Sequence, residues 1–303
     1  MFHVLKSQQF SPETLFGLFK RADELRENCE ENLKGKILAS LFYEPSTRTR
    51  LSFESAMLKL GGKVIGTENA REFSSAVKGE SLQDSIRVLE KYADIIILRH
   101  SETGAAKQAS EVSTIPIINA GDGKGQHPTQ ALLDVYTIYR EFNRLENLKI
   151  LMVGDLASGR TVRSLCYLLG KFKGNEIIFV SPKNLKIKED IKEYLKKHNV
   201  NFREENNLNK VLPEADVVYM TRIQKERISL EDYEKAKGEY VISEKNLDLI
   251  KENARIMHPL PHVEEIDLPF EVEENDKKVA YFRQAENGLF IRMALLEMIL
   301  KNN

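Results

Sequence analysis

Short apolar runs rich in β-branched residues alternate with helix-like segments along this chain, and no other feature restricts its fold as much. Candidate strands lie near 36–43, 63–67, 94–98, 115–119, 148–153, 176–180, 216–220 and 254–257, with helical stretches at 80–92, 128–142, 160–172 and 187–197. Strands that are apolar throughout are buried on both faces, so the rhythm predicts parallel sheets covered by helices on each side. The amphipathic segment from Pro128 to Asn143 runs into the polar stretch Arg140-Glu141-Phe142-Asn143-Arg144, and we place a domain boundary there. The expected fold class is therefore α/β with two domains, each a parallel sheet flanked by helices: 1–133 plus 285–303, and 134–284. The last helix, Glu286 to Lys301, is expected to pack back on the first domain. A length of 303 residues suits this division.

In open parallel sheets, ligands bind beyond the carboxyl ends of the strands. The residues that follow each strand are therefore informative. After 36–43 come Ser46, Thr47, Arg48 and Thr49; after Asp94 to Leu98 come Arg99 and His100. After Pro116 to Asn119 comes Ala120-Gly121-Asp122-Gly123, then His127-Pro128-Thr129-Gln130. After Ile150 to Val153 comes Gly154-Asp155-Leu156-Ala157-Ser158-Gly159-Arg160-Thr161. After Val217 to Met220 comes Thr221-Arg222-Ile223-Gln224, and after Arg255 to Met257 comes His258-Pro259-Leu260-Pro261. Four of these six ends supply an arginine, whereas surface arginines would scatter without regard to strand ends. The pattern implies a cleft between the domains for polyanionic ligands, phosphate together with carboxylates.

The first of these ends is the most specific. Ser46-Thr47-Arg48-Thr49-Arg50 lies between a buried strand and a segment, Leu51 to Leu60, that reads as a helix stopped by Gly61-Gly62. Unpaired N–H groups, the positive end of the helix dipole, hydroxyls and bidentate guanidinium groups suit a phosphate. One hydroxyl alone would be an ordinary cap beside solvated arginines. The whole run at this junction favours an anion site.

Other chemistries fit poorly. A net charge of −1 gives no reason to expect a nucleic-acid or membrane partner, and no apolar run approaches the length of a membrane span. The first seven residues are too polar for a signal peptide. Cys29 and Cys166, in unrelated settings, indicate a reducing, cytoplasmic compartment and argue against a structural zinc site. The Gly154 to Thr161 segment nearly spells a nucleotide phosphate loop, but Arg160 stands where that loop needs lysine. It also lacks the three-glycine dinucleotide spacing, and the next strand ends in Ser181-Pro182 rather than an acid for the ribose. His258 and His262 are four apart, but Pro259 and Pro261 exclude the helix that would aim both at one metal ion. We expect no metal and no cofactor.

Taken together, these residues resemble the aspartate/ornithine carbamoyltransferase family. Ser46-Thr47-Arg48-Thr49-Arg50, His127-Pro128-Thr129-Gln130 and His258-Pro259-Leu260-Pro261 look like its signature set, in order along essentially the whole chain. Lys78-Gly79-Glu80-Ser81, Asn119 to Gly123, Gly159-Arg160-Thr161-Val162 and Met220 to Arg227 resemble its aspartate branch. The ornithine branch carries a cysteine where Pro259 stands, and a Ser-Met-Gly segment that this chain lacks.

The resemblance implies transfer of the carbamoyl group of carbamoyl phosphate to the α-amino group of L-aspartate, an early step of pyrimidine synthesis. By similarity, Ser46, Thr47, Arg48 and Thr49 hold the phosphate, and Thr49, Arg99 and His127 polarise the carbamoyl oxygen. Arg48, Thr49, Arg99 and His127 form the implied catalytic set. Gln130 and the Leu260 carbonyl are expected to orient the carbamoyl nitrogen. Arg160 is assigned to the aspartate α-carboxylate, and Arg222 and Gln224 to its β-carboxylate, with Leu260 and Lys78 also on the aspartate side. Ser74 and Lys78, in a polar loop from Glu72 to Gly79, are implied to reach the neighbouring subunit's site, hence a homotrimer with shared sites. From the residues alone, Lys78 reads as a solvated loop lysine. Glu44, Arg160 and Arg227 resemble residues whose ion pairs hold the domains closed over substrates. A separate regulatory chain in a larger hetero-oligomer stays open. The chain departs from the family pattern at His262, where an arginine is common, and at Ser158, where a tyrosine is frequent. Three alternatives remain: an ornithine acceptor, another amino-acid acceptor, and a non-catalytic anion-binding relative.

Overall fold

A computed structural model describes residues 3–223 and 238–301 of the chain. It falls into two compact units, Met1–Tyr136 with Glu286–Asn303, and Thr137–Ala285. The chain leaves the first unit within helix α6, Pro128–Phe142, and returns within the C-terminal helix, Tyr281–Leu300.

The first unit opens with α1, Pro12–Glu27, started by Ser11, whose hydroxyl accepts the Thr14 N–H at 3.2 Å and whose next residue is proline. There follow β1 (Ile37–Phe42), α2 (Thr47–Lys59), β2 (Lys63–Thr67), α3 (Ala70–Phe73), α4 (Leu82–Leu89), β3 (Ile95–His100), α5 (Ala105–Val112), β4 (Ile117–Asp122) and α6. The four strands are parallel, in the order β2-β1-β3-β4. Val4 extends the sheet at β4, receiving the Asn119 N–H at 2.8 Å and donating to the Ile117 carbonyl at 2.9 Å. Ala39, Leu41, Ile96, Leu98 and Ile117 lie in one buried cluster with Ile86 of α4 and Ala106 and Ala109 of α5.

The second unit runs β5 (Lys149–Val153), α7 (Arg160–Leu169), β6 (Glu176–Val180), α8 (Glu189–Lys197), β7 (Asn201–Glu205), α9 (Leu208–Val211) and β8 (Val217–Met220), then β9 (Ile242–Ser243), β10 (Arg255–Met257) and β11 (Ile266–Asp267). Its main sheet is parallel, in the order β10-β8-β5-β6-β7, and β9 and β11 form a separate parallel pair. Leu151, Val153, Ile178, Val180, Val218, Met220 and Ile256 share its core with Tyr281. Among the described residues, no helix is long and apolar enough to cross a membrane.

The structure moves two expected boundaries. α2 begins at Thr47, not Leu51, so Thr47 to Arg50 are its first turn rather than the loop before it. The expected polar loop from Glu72 to Gly79 consists mostly of helical turns: α3, then a 3-10 turn at Ser75–Lys78 closed by Gly79 at φ 89°. Ser74 starts that turn with its own hydroxyl, and such local caps let short polar residues hold a turn that has no apolar periodicity.

Candidate active site

The first turn of α2 presents the residues the resemblance assigns to phosphate. Ser46 is the N-cap residue, yet its side chain makes no cap bond, so the first N–H groups of the helix are not closed off by it. Arg48 is exposed as a residue, while packing about its guanidinium draws its pKa below the usual arginine value. Thr49 is buried and points at His127, with 3.5 Å between Oγ1 and Nε2.

His127 ends the loop that follows β4. Asn119 and Asp122 brace that loop: Asp122 Oδ1 accepts the Gln126 N–H at 3.0 Å and an Asn119 amide N–H at 3.1 Å, while Oδ2 accepts the Gly104 N–H at 2.8 Å. His127 Nδ1 accepts the Gln130 N–H at 3.3 Å, which leaves the proton of the neutral ring on Nε2, facing Thr49. Gln130 gives its amide N–H to Asp134 at 2.9 Å, so its carbonyl oxygen is the end suited to accept a carbamoyl N–H. Arg99, in the last turn of pleat of β3, donates to the Ala120 carbonyl at 3.4 Å and pairs with Glu44 at 3.5 Å. Thr49, Arg99, His127 and Gln130 are thus gathered within one unit from three strand ends and the start of α6.

In the second unit, Arg160 is the first residue of α7, after Gly159. Gly154, at φ 114°, is required by a close approach: an added Cβ would lie 2.1 Å from the Thr221 carbonyl oxygen. That approach brings the end of β8 against the end of β5, where Thr221 donates its N–H and hydroxyl to the Val153 carbonyl at 2.8 and 2.7 Å. Arg222 follows directly and is half-buried. Gln224 and Arg227 lie outside the described residues. Ser74 uses its hydroxyl locally, donating to the Ala70 carbonyl and accepting the Ala76 N–H at 3.2 Å, and Lys78 is exposed.

The turn after β10 holds Leu260 at φ 56°, a left-handed conformation unusual for a branched side chain. The His258 ring stabilises it: Nδ1 accepts the Leu260 N–H at 2.8 Å, and Nε2 lies 2.9 Å from Glu265 Oε1. Burial works against the ionised Glu265, but the hydrogen bond and charge attraction from His258, with backbone N–H groups, hold its carboxyl below the ordinary range. A lowered folded pKa means stability that is present above the unfolded value of about 4.3 and lost as pH falls through the folded one. Glu265→Leu removes the carboxylate that lies 2.9 Å from the buried His258 Nε2 and is expected to lower Tm by roughly 2–10 °C at neutral pH. Glu265→Gln, which keeps a polar oxygen beside that nitrogen, is expected to lose less and to flatten the acid limb, as thermal melts across pH will show.

Sequence reasoning passed over Asp134, Glu265 and Arg292. For Arg292 a signal existed: one cation inside the apolar run Ile291 to Leu296. Among the described residues, no group of three or more His, Cys, Asp or Glu gathers as a metal site.

Comparison with known proteins accords with this geometry. Residues 3–140 match the family model described as aspartate/ornithine carbamoyltransferase, carbamoyl-P binding domain, and residues 146–299 match its Asp/Orn binding domain. A Pisum sativum protein named aspartate carbamoyltransferase 1, chloroplastic, is 55% identical over 305 residues, covering 98% of this chain and 78% of that protein. The aspartate carbamoyltransferase catalytic subunit of Methanocaldococcus jannaschii is 48% identical over 309 residues, covering 100% of this chain and 99% of that one. A crystal form of the M. jannaschii catalytic subunit superposes with a TM-score of 0.92 at 48% identity, over 100% of this chain and 99% of the other. The Trypanosoma cruzi enzyme in complex with N-(phosphonacetyl)-L-aspartic acid gives 0.93 at 36% identity, over 99% and 96%.

Proposed function

This chain belongs to the aspartate/ornithine carbamoyltransferase family, and from that premise we propose how its residues divide the work. It is an aspartate carbamoyltransferase: it transfers the carbamoyl group of carbamoyl phosphate to the α-amino group of L-aspartate, giving N-carbamoyl-L-aspartate and phosphate. The observation that carries the residue assignment is the convergence, in the first unit, of the α2 first turn with Arg99, His127 and Gln130.

In our reading Ser46, Thr47, Arg48 and Thr49 hold the phosphate. Arg99 and the Nε2–H of His127, with Thr49, stabilise the negative charge that grows on the carbamoyl oxygen. Gln130 and the Leu260 carbonyl orient the carbamoyl nitrogen. Arg160, Arg222 and Gln224 take the aspartate carboxylates, with Lys78 beside them. The amine nitrogen bonds to the carbamoyl carbon, the carbon–oxygen bond to phosphate breaks, and the amine proton leaves on the phosphate. No strong side-chain base is needed, so rate enhancement comes from positioning and charge stabilisation. This agrees with a set in which arginine is the commonest residue.

We extend the reading to a homotrimer in which Ser74 and Lys78 serve the neighbouring subunit's site; the exposure of Lys78 supports it. Cytoplasmic residence is part of the same proposal, supported by two free cysteines, one exposed and one buried. The test is phosphate release from carbamoyl phosphate without magnesium or nucleotide. We expect release with L-aspartate and none with L-ornithine. Equal use of both acceptors, or release only with ATP and magnesium, would sink the reading.

A further inference from the structure

Arg292 belongs to the C-terminal helix and is 3% exposed. Its Nη1 donates to Ser52 Oγ at 2.8 Å, and its guanidinium carbon lies 5.0 Å from the centre of the Phe53 ring. The Ser52 hydroxyl, in turn, points at the carbonyls of Arg48, at 2.6 Å, and Thr49, at 3.1 Å. The negative charge of Asp134, whose carboxylate accepts the Gln130 amide, offsets part of the burial of the Arg292 charge. Burial draws the Arg292 pKa down to about 10, so the group keeps its charge at neutral pH. The fit is tight: a Cβ at Gly288, one turn earlier, would meet Nη1 at 2.7 Å and Leu133 at 3.1 Å.

A wholly buried cation is a poor device for stability, because desolvation offsets most of what its pairing returns. An apolar side chain of the same length would fill the space. What the guanidinium adds is direction. Its hydrogen-bond partner, Ser52, bonds the backbone that carries Arg48 and Thr49.

We propose that Arg292 is a positioning residue for the carbamoyl-phosphate site: from the C-terminal helix it fixes, through Ser52, the first turn of α2. The proposal rests on the functional reading above. It makes Ser52 the relay and predicts that the two residues act as one unit.

The experiment compares the full-length wild type with Ser52→Ala, Arg292→Met, Arg292→Lys and the double variant Ser52→Ala/Arg292→Met. The measurements are the Kd for phosphonoacetamide, a non-reacting stand-in for carbamoyl phosphate, KM for each substrate, and Tm. We expect Ser52→Ala and Arg292→Met each to weaken phosphonoacetamide about tenfold, the scale of one hydrogen bond to a charged group. KM for carbamoyl phosphate follows, while KM for aspartate stays within about twofold. The double variant is no worse than Arg292→Met alone, as coupled residues require. Arg292→Lys, which keeps a donor, recovers part of the loss. Wild-type phosphonoacetamide affinity in folded Ser52→Ala with only Tm reduced would overturn the proposal, as would losses that simply add or that strike both substrates equally. Should Arg292→Met not fold, Ser52→Ala and Arg292→Lys decide. A wild type that makes no carbamoylaspartate would refute the functional reading itself, and this outcome is separate from the behaviour of the variants.

Discussion

Replacing Arg48 with alanine is expected to lower kcat/KM for carbamoyl phosphate by a factor of about a hundred or more. The guanidinium stands in the first turn of α2, where the helix N–H groups already face the proposed phosphate position. Removing a charge-assisted partner from a buried ion costs on the order of 2–5 kcal/mol, much of it the penalty on the charge left behind. Arg222→Ala is expected to behave differently. Arg222 follows β8 in the second unit, on a turn pinned to β5 through Thr221. Its loss is expected to raise KM for aspartate by a comparable factor while leaving phosphonoacetamide binding within about twofold of wild type. The decisive measurement is phosphonoacetamide binding without aspartate. Equal weakening by both substitutions would end this division of labour.

The parts of the fold that were legible in the sequence are those buried on both faces. The runs at Ile150–Val153 and Ile177–Val180 are apolar without interruption, and Ile37–Phe42 is broken only by Ser40, because helices cover both sides of their sheets. β7 was invisible for the opposite reason. It is an edge strand, Asn201-Phe202-Arg203-Glu204-Glu205, with one side chain in five apolar and none fully buried. Its place is set by main-chain pairing with β6 and by Arg203, which donates to Glu176 at 3.1 Å and Glu214 at 2.7 Å.

The site divides along the same line. Residues at strand ends could be located because topology alone sends ligands there. The start of α2 could not, since Ser, Thr and Arg in sequence suit a turn as well as a helix. Tertiary contact settles it: Arg50 bonds Glu54 one turn on and Glu68 just past β2, and Ser52 receives Arg292 from 240 residues away. The orientation of the His258 ring is illegible for a local reason, the turn geometry that follows β10. It follows from Leu260, two residues on, and from Glu265, beyond the turn. Arg292, by contrast, meets Ser52 only because the fold brings the C-terminal helix against α2.

Mixing two inactive variants is expected to restore activity, because the proposed trimer shares its sites. Lys78 is exposed at the end of a helical turn that Ser74 starts, its hydroxyl accepting the Ala76 N–H and donating to the Ala70 carbonyl of α3. Nothing in the turn itself calls for a cation at its tip, whereas a carboxylate substrate held by a neighbour does. Arg48→Ala and Lys78→Ala chains are each expected to be nearly inactive alone. In a closed ring with head-to-tail contacts, each site takes Arg48 from one chain and Lys78 from the next. When equal amounts are dissociated, mixed and reassembled at random, a site is intact only if the first chain is the Lys78→Ala variant and the second the Arg48→Ala variant. Each condition holds half the time, so about a quarter of the sites recover, by the closure of the ring. The ratio is independent of how strongly either substitution acts, provided each alone is severe. It also separates sharing from simple refolding, since mixing either variant with itself recovers nothing. Activity that stays at the level of the separate variants after verified exchange of chains would place Lys78 in the service of its own subunit.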